Sequence, residues 1–210
     1  EDEGQKQAVW RSDPAKAGKA GAYGDIGTHA ANMAEYVSGL QIIKVLSKMS
    51  KVVEGRLLDD DTSALLEFKG GVPGVLICSQ VSAGEENALR VKVYGTKGGV
   101  EWCQEDENTL LVKRHRAPNQ VYRTGVDNSY LAEVALAHAR VPSGHPEGYI
   151  EAFANIYRNF AMAVRANFSG SLHDPMYDFP DIDDGVHGMA LVDAIVESSL
   201  KGNAWISLKH

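Results

Sequence analysis

A chain of 210 residues, 44% hydrophobic and 23% charged, has the composition of a globular protein able to bury a core. Its formal net charge of −7 argues against a nucleic-acid surface, because binding phosphates takes clustered Lys and Arg. No apolar run reaches the length of a membrane span.

The chain opens on Glu1-Asp2-Glu3-Gly4 without Met or a charged-then-apolar leader, which is expected of a processed or truncated piece of something longer. Gln7 to Arg11 is a candidate strand, Ser12-Asp13-Pro14 turns the chain, and Lys16 to Gly24 reads as a Gly/Ala/Lys loop. Gly18, Gly21 and Gly24 do not make a dinucleotide fingerprint, which requires G-x-G-x-x-G straight after a buried strand. A helix is expected from about Asp25 to Ser38-Gly39, with Ile26, Ala30, Met33, Val37 and Leu40 facing a core.

Strand-like segments follow at Gln41 to Val53, Thr62 to Lys69, Val72 to Ala83, Leu89 to Tyr94, Val100 to Gln104, Thr109 to Arg114 and Gln120 to Thr124. The turns between them, such as Gly70-Gly71, are short, and short connections join only antiparallel strands. One helix is expected to start at His145-Pro146-Glu147, with Phe153, Tyr157, Phe160, Val164 and Phe168 as its apolar stripe. Another runs from Pro180-Asp181 to about Lys201-Gly202, and a last strand covers Ala204 to Leu208. The fold class is therefore α+β: a large, mostly antiparallel, open-faced sheet with helices packed on one face. Val75, Ile77 and Val81 alternate with Leu76 and Cys78, so both sheet faces are apolar there, and burial of one face between chains is expected. Cys78 and Cys103 lack CxxC spacing and read as reduced core thiols, consistent with a cytoplasmic setting.

The stretch with most chemistry is Gly24-Asp25-Ile26-Gly27-Thr28-His29. On a helix, Asp25 and His29 stack on one face, with Asn32 and Tyr36 continuing the polar stripe. A carboxylate one turn before an imidazole can fix the ring's tautomer and stabilise its protonated form. The same residues also fit a structural role, Asp25 as a helix-start acid and His29 as a border histidine. Trp10 and Arg11 are candidates for lining a cleft, with a packed tryptophan and a solvated arginine as the alternative, and His145 at a helix start can face either a cleft or the first-turn amides. His187 reads as structural, Asp181, Asp183 and Asp184 as helix-start acids, and Lys97 as a turn tip.

Four stretches, in order, resemble the C-terminal domain of the Gfo/Idh/MocA oxidoreductases, relatives of glucose-fructose oxidoreductase and inositol 2-dehydrogenase. They are the D-x-G-x-H motif at Asp25 to His29, Val93 to Glu101, Gly144 to Tyr149, and Phe179 to Gly185 with Glu197-Ser198-Ser199 behind it. The resemblance implies a glyceraldehyde-3-phosphate dehydrogenase-like C-terminal domain. Residues 1–210 would form a single substrate-binding and oligomerisation domain, and the N-terminal Rossmann domain with its catalytic lysine is absent from this chain. It implies hydride transfer between NAD or NADP and a carbinol carbon of a sugar or polyol in the full-length protein, with no cofactor expected on this fragment alone. His29 and Asp25 would be catalytic, while Arg11, Trp10 and His145 would bind substrate. No metal is expected, nor a nucleic-acid or membrane partner, but a homodimer or homotetramer through the open sheet face is. Two alternatives stand beside this: a non-catalytic oligomerisation module, and a metal-dependent sugar isomerase or hydrolase using Asp25 and His29.

Overall fold

In the computed structural model, the structure describes residues 10, 11 and 13–208. The chain divides into two compact units, one of residues 1–86 and 182–210, the other of residues 87–181. The fold is α+β and every strand pair is antiparallel, as expected. The strands, however, form two four-stranded sheets rather than one continuous sheet.

The first unit holds β1 (Ile42–Ser50), β2 (Asp61–Phe68) and β3 (Val72–Ser79), with a loop over residues 51–60 between the first two and a short turn between the last two. The two-residue strand Ile206–Ser207 pairs on the far side of β1, giving the order β3-β2-β1 and then that strand. Alternation along β2 buries Thr62, Ala64, Leu66 and Phe68. Leu76 and Cys78 of β3 join them in a core shared with Tyr23, Ile42, Val45, Leu191 and Ile195. The Ile182–Leu200 helix covers this face, with Leu191, Val192, Ala194, Ile195 and Ser198 buried. The opposite face of the sheet stays open, with Val75 69% and Ile77 68% exposed beside exposed Leu65.

The final strand pairs with β1 only at Lys44 and Val45, so the next N–H groups of β1 need other acceptors. Serines of the covering helix supply them. Ser47 N–H donates to Ser198 Oγ at 2.8 Å, and Met49 N–H to Ser199 Oγ at 3.1 Å. The Ser47 hydroxyl donates in turn to the Ile195 carbonyl at 2.6 Å. This gives the Glu197-Ser198-Ser199 stretch a backbone-pairing role in the fold.

The expected helix at Asp25 begins earlier and less regularly. A π-turn over Tyr23–Gly27 runs directly into an α-helix over Thr28–Ser38, which stops at Gly39. Its inward face is also displaced: Tyr23, Gly27 and Ala31 are buried, with Ile26, Ala30, Ala34 and Leu40 packed at the margin, while Val37 is exposed. The proposed strand at Gln7 to Arg11 lies mostly outside the described residues; Trp10 and Arg11 themselves are helical.

The second unit contains β4 (Arg90–Gly95), β5 (Gly98–Cys103), β6 (Thr109–Arg114) and β7 (Gln120–Arg123), a meander in that order. A short Glu133–Ala137 helix and a long Tyr149–Ser169 helix follow. The long helix starts after Gly148, whose N–H donates to Glu151 at 2.9 Å, so Pro146 lies ahead of the helix and not at its first position. Asn159 is buried within this unit, donating to the Asp178 carbonyl at 2.7 Å. Cys103 is half-buried, its thiol donating to Glu105 at 3.3 Å, so only Cys78 is a core thiol; both are unpaired.

Candidate functional site

The site is built around a buried carboxylate that sequence reasoning missed. Asp59, at the entrance to β2, accepts the N–H groups of Gly21 and Tyr23 and the Thr62 hydroxyl. The two backbone donors lie just before and at the start of the π-turn, where N–H groups have no intrahelical partner and an anion is favoured. Asp59 thus performs the helix-start role expected of Asp25. A side chain on Gly21 would drive into the Asp59 backbone carbonyl, so the close approach needs glycine. The signal available in the sequence was the run Asp59-Asp60-Asp61 before a strand, with nothing in its spacing to link it to residue 21.

Gly27, the glycine of the D-x-G-x-H motif, has an equally concrete cause. A Cβ there would stand 2.5 Å from the ring of Tyr23 and 3.0 Å from the Cys78 sulfur. Tyr23 is fully buried, and packing its ring against the bare backbone of Gly27 seats the π-turn on β3. Its hydroxyl has no hydrogen-bond partner among the described residues, and burial pushes the hydroxyl's pKa above its ordinary value. Beside it lies a cavity of about 30 Å³ lined by Thr28, Asn32, Glu35, Asp184 and His187 among others, room for about one water.

With the π-turn fixed, Asp25 sits half-exposed on its outer border. Its Oδ2 lies 3.2 Å from the Arg11 guanidinium and accepts from Gln80 Nε2 at 2.9 Å. Arg11 also stacks over Trp10, 5.5 Å from the ring centre. Trp10, Arg11 and Asp25 therefore form one connected cluster, and Gln80 is a member the sequence did not reveal. His29 is exposed on the same border. No hydrogen bond joins Asp25 to His29, contrary to the simple stacking expectation. The turn carrying Asp25 closes by a bond from Thr28 N–H to the Tyr23 carbonyl, five residues back, so its residues are not spaced as in an α-helix. Arg11 and Gln80 moreover take up Oδ2 of the carboxylate.

His145 belongs to the second unit. It lies in an exposed turn, its Nδ1 3.2 Å from the Pro142 carbonyl oxygen. His187 is tied to Glu35, Nε2 to Oε1 at 2.8 Å, and Glu35 Oε1 also accepts the Ile42 N–H at 2.6 Å. Asp183 and Asp184 lie in the first turn of the Ile182–Leu200 helix, where acids favour the dipole, and Lys97 is exposed in the β4–β5 turn. Among the described residues, no group of three or more His, Cys, Asp or Glu side chains is arranged to hold a metal ion. No described helix is long and apolar enough to cross a membrane. Because all strand pairs are antiparallel, the described residues do not build the parallel βαβ unit on which a dinucleotide pyrophosphate sits.

Residues 1–101 match the family model of the GFO/IDH/MocA C-terminal domain. A curated relative, the uncharacterized oxidoreductase YfiI of Bacillus subtilis, is 32% identical over 99% of this chain and 54% of its own length. An oxidoreductase structure from Sinorhizobium meliloti is 43% identical, with a TM-score of 0.83 over 88% of this chain and 51% of that one. Residues 1–101 belong to the GFO/IDH/MocA C-terminal domain family. An inositol dehydrogenase homolog from Azotobacter vinelandii, solved with NAD+, is 32% identical, with a TM-score of 0.90 over 97% of this chain and 53% of that one. The same homolog has been solved with NADH and myo-inositol. The chain spans about half the length of these relatives.

Proposed function

We propose that this chain is the substrate-binding, C-terminal half of an NAD(P)-dependent oxidoreductase that acts on a carbinol carbon of a sugar or polyol. The observation that carries the reading is the exposed border of the first-unit helix. There Asp25 is held through one oxygen by Arg11 and Gln80, and His29 stands open on the same edge. Support also comes from the NAD+ and myo-inositol bound by the Azotobacter vinelandii homolog.

In this reading His29 accepts the proton of the reacting hydroxyl, since a neutral imidazole is the side chain suited to that transfer near neutral pH. Asp25 accepts a hydrogen bond from a substrate hydroxyl through its free oxygen, and Arg11 balances the carboxylate's charge. The nicotinamide supplies the hydride chemistry when bound, and residues outside this chain hold it. Trp10 and Arg11 flank the substrate. The open sheet face bearing Leu65, Val75 and Ile77 joins copies of the chain into a homodimer or homotetramer, because an apolar surface of this kind is unfavourable in water. The two free thiols suit the cytoplasm.

The test is reduction of NAD+ or NADP+ by the full-length protein over a panel of polyols and sugars that includes myo-inositol. The reading expects turnover with at least one member of the panel. Turnover with none, in protein that binds the dinucleotide, contradicts it. A tight, inactive oligomer would then favour the assembly module.

A further inference from the structure

Asp25 is gripped on one oxygen only. Oδ2 takes both Arg11 and Gln80, while Oδ1 has no hydrogen-bond partner among the described residues. A carboxylate can only accept, so the Gln80 amide must turn its nitrogen toward Asp25, leaving its oxygen facing away. That amide oxygen has no partner among the described residues either, and Gln80 is exposed just past the end of β3. Its backbone is nonetheless fixed, because Gln80 N–H donates to the Asp60 carbonyl at 2.8 Å. Asp60 is the chain neighbour of Asp59, which holds the π-turn carrying Asp25. Both ends of the Gln80–Asp25 bond are thus anchored to adjacent residues of one loop.

We propose that Gln80 is a positioning and specificity residue of the Asp25 site. With Arg11 it saturates Oδ2 and so aims Oδ1 at the open surface. Its own amide oxygen, turned away from Asp25, is a second acceptor for a substrate O–H, so the site distinguishes substrates by the hydroxyl groups they present. A neutral amide serves here where a second carboxylate would repel Asp25. The inference rests on the reading of Asp25 and His29 as the substrate-side pair.

The experiment uses the full-length protein with NAD+ and myo-inositol, comparing wild type, Gln80→Ala and Gln80→Glu, with Asp25→Ala and His29→Ala as controls. Gln80→Ala is expected to lower kcat/KM about tenfold to a hundredfold, the range for losing a hydrogen bond to a charged group, chiefly through KM and with an unchanged melting temperature. Gln80→Glu is expected to be at least as impaired, although it fills the same space. A merely space-filling residue would tolerate that change. Wild-type kinetics in both Gln80 variants, alongside crippled controls, overturn this proposal alone. Intact turnover in the controls overturns the functional reading itself. The contact is also tested without turnover, in protein labelled with 15N-glutamine. The Gln80 side-chain amide signal is expected to shift on Asp25→Ala, and an unmoved signal overturns the proposal.

Discussion

The Asp59 carboxylate accepts the Tyr23 N–H at 2.9 Å, joining the loop before β2 to the turn that carries the motif acid. This contact spans 36 residues of sequence and decides where Asp25 points. Asp59 is buried and also holds Gly21 and Thr62, so truncating it strands three donors away from water. Asp59→Ala is expected to cost about 2–3 kcal/mol, the range for charged hydrogen bonds and a lost helix cap. Urea unfolding of the variant beside wild type measures it. A loss below about 0.5 kcal/mol would remove Asp59 from this role.

Two glycine-to-alanine changes should move stability in opposite directions. At Gly185, inside the covering helix, an added Cβ meets nothing, and better helix propensity is expected to stabilise by about 0.5–1 kcal/mol. At Gly27 the same propensity gain is outweighed by collision with Tyr23 and Cys78, and a net loss of about 1–2 kcal/mol is expected. Thermal melts of the two variants test the pair.

Alkaline pH should destabilise the first unit through Cys78. Burial, reinforced by the carboxylates of Asp59 and Asp61, pushes the thiol up to about 12. An exposed thiol titrates near 8.5, so between about pH 9 and 12 the unfolded chain has released a proton that the folded chain keeps. Rising pH then favours unfolding: the stability is fully present below that window and is lost through it. Buried Tyr23 acts in the same direction at still higher pH. Urea midpoints measured from pH 8 to 11 should fall, with a shallower slope in Cys78→Ala. In the folded protein, thiol reagents should reach Cys103 well before Cys78.

The open sheet face gives a further expectation. Val75 and Ile77 are exposed on β3, and a charge placed there opposes burial against another copy. Ile77→Lys should shift sedimentation toward monomer while leaving the melting transition cooperative. Unchanged sedimentation would assign the oligomer to another surface.

Much of the fold was legible because it is written in local pattern. The alternation in Thr62 to Phe68 and Leu76 to Cys78, and the short turns between strands, are period-two and near-neighbour signals. The division into two sheets was not, since a hairpin turn says nothing about which distant strands fail to pair. The motif itself was visible, but its mechanics were not. Gly27 is dictated by a ring four residues earlier that packs only because of the π-turn, and Asp59 and Gln80 reach Tyr23 and Asp25 across 36 and 55 residues. The same long-range contacts explain why Asp25 and His29, four apart, do not bond to each other.

The account turns on whether the exposed edge of this helix meets substrate. The most direct measurement is the turnover of His29→Ala in the full-length protein with NAD+ and a polyol it oxidises. The imidazole is exposed and outside the core, so the fold is expected to survive, while kcat falls about 10²–10⁴-fold, the contribution of a positioned base. A variant that folds and turns over at the wild-type rate would contradict the account.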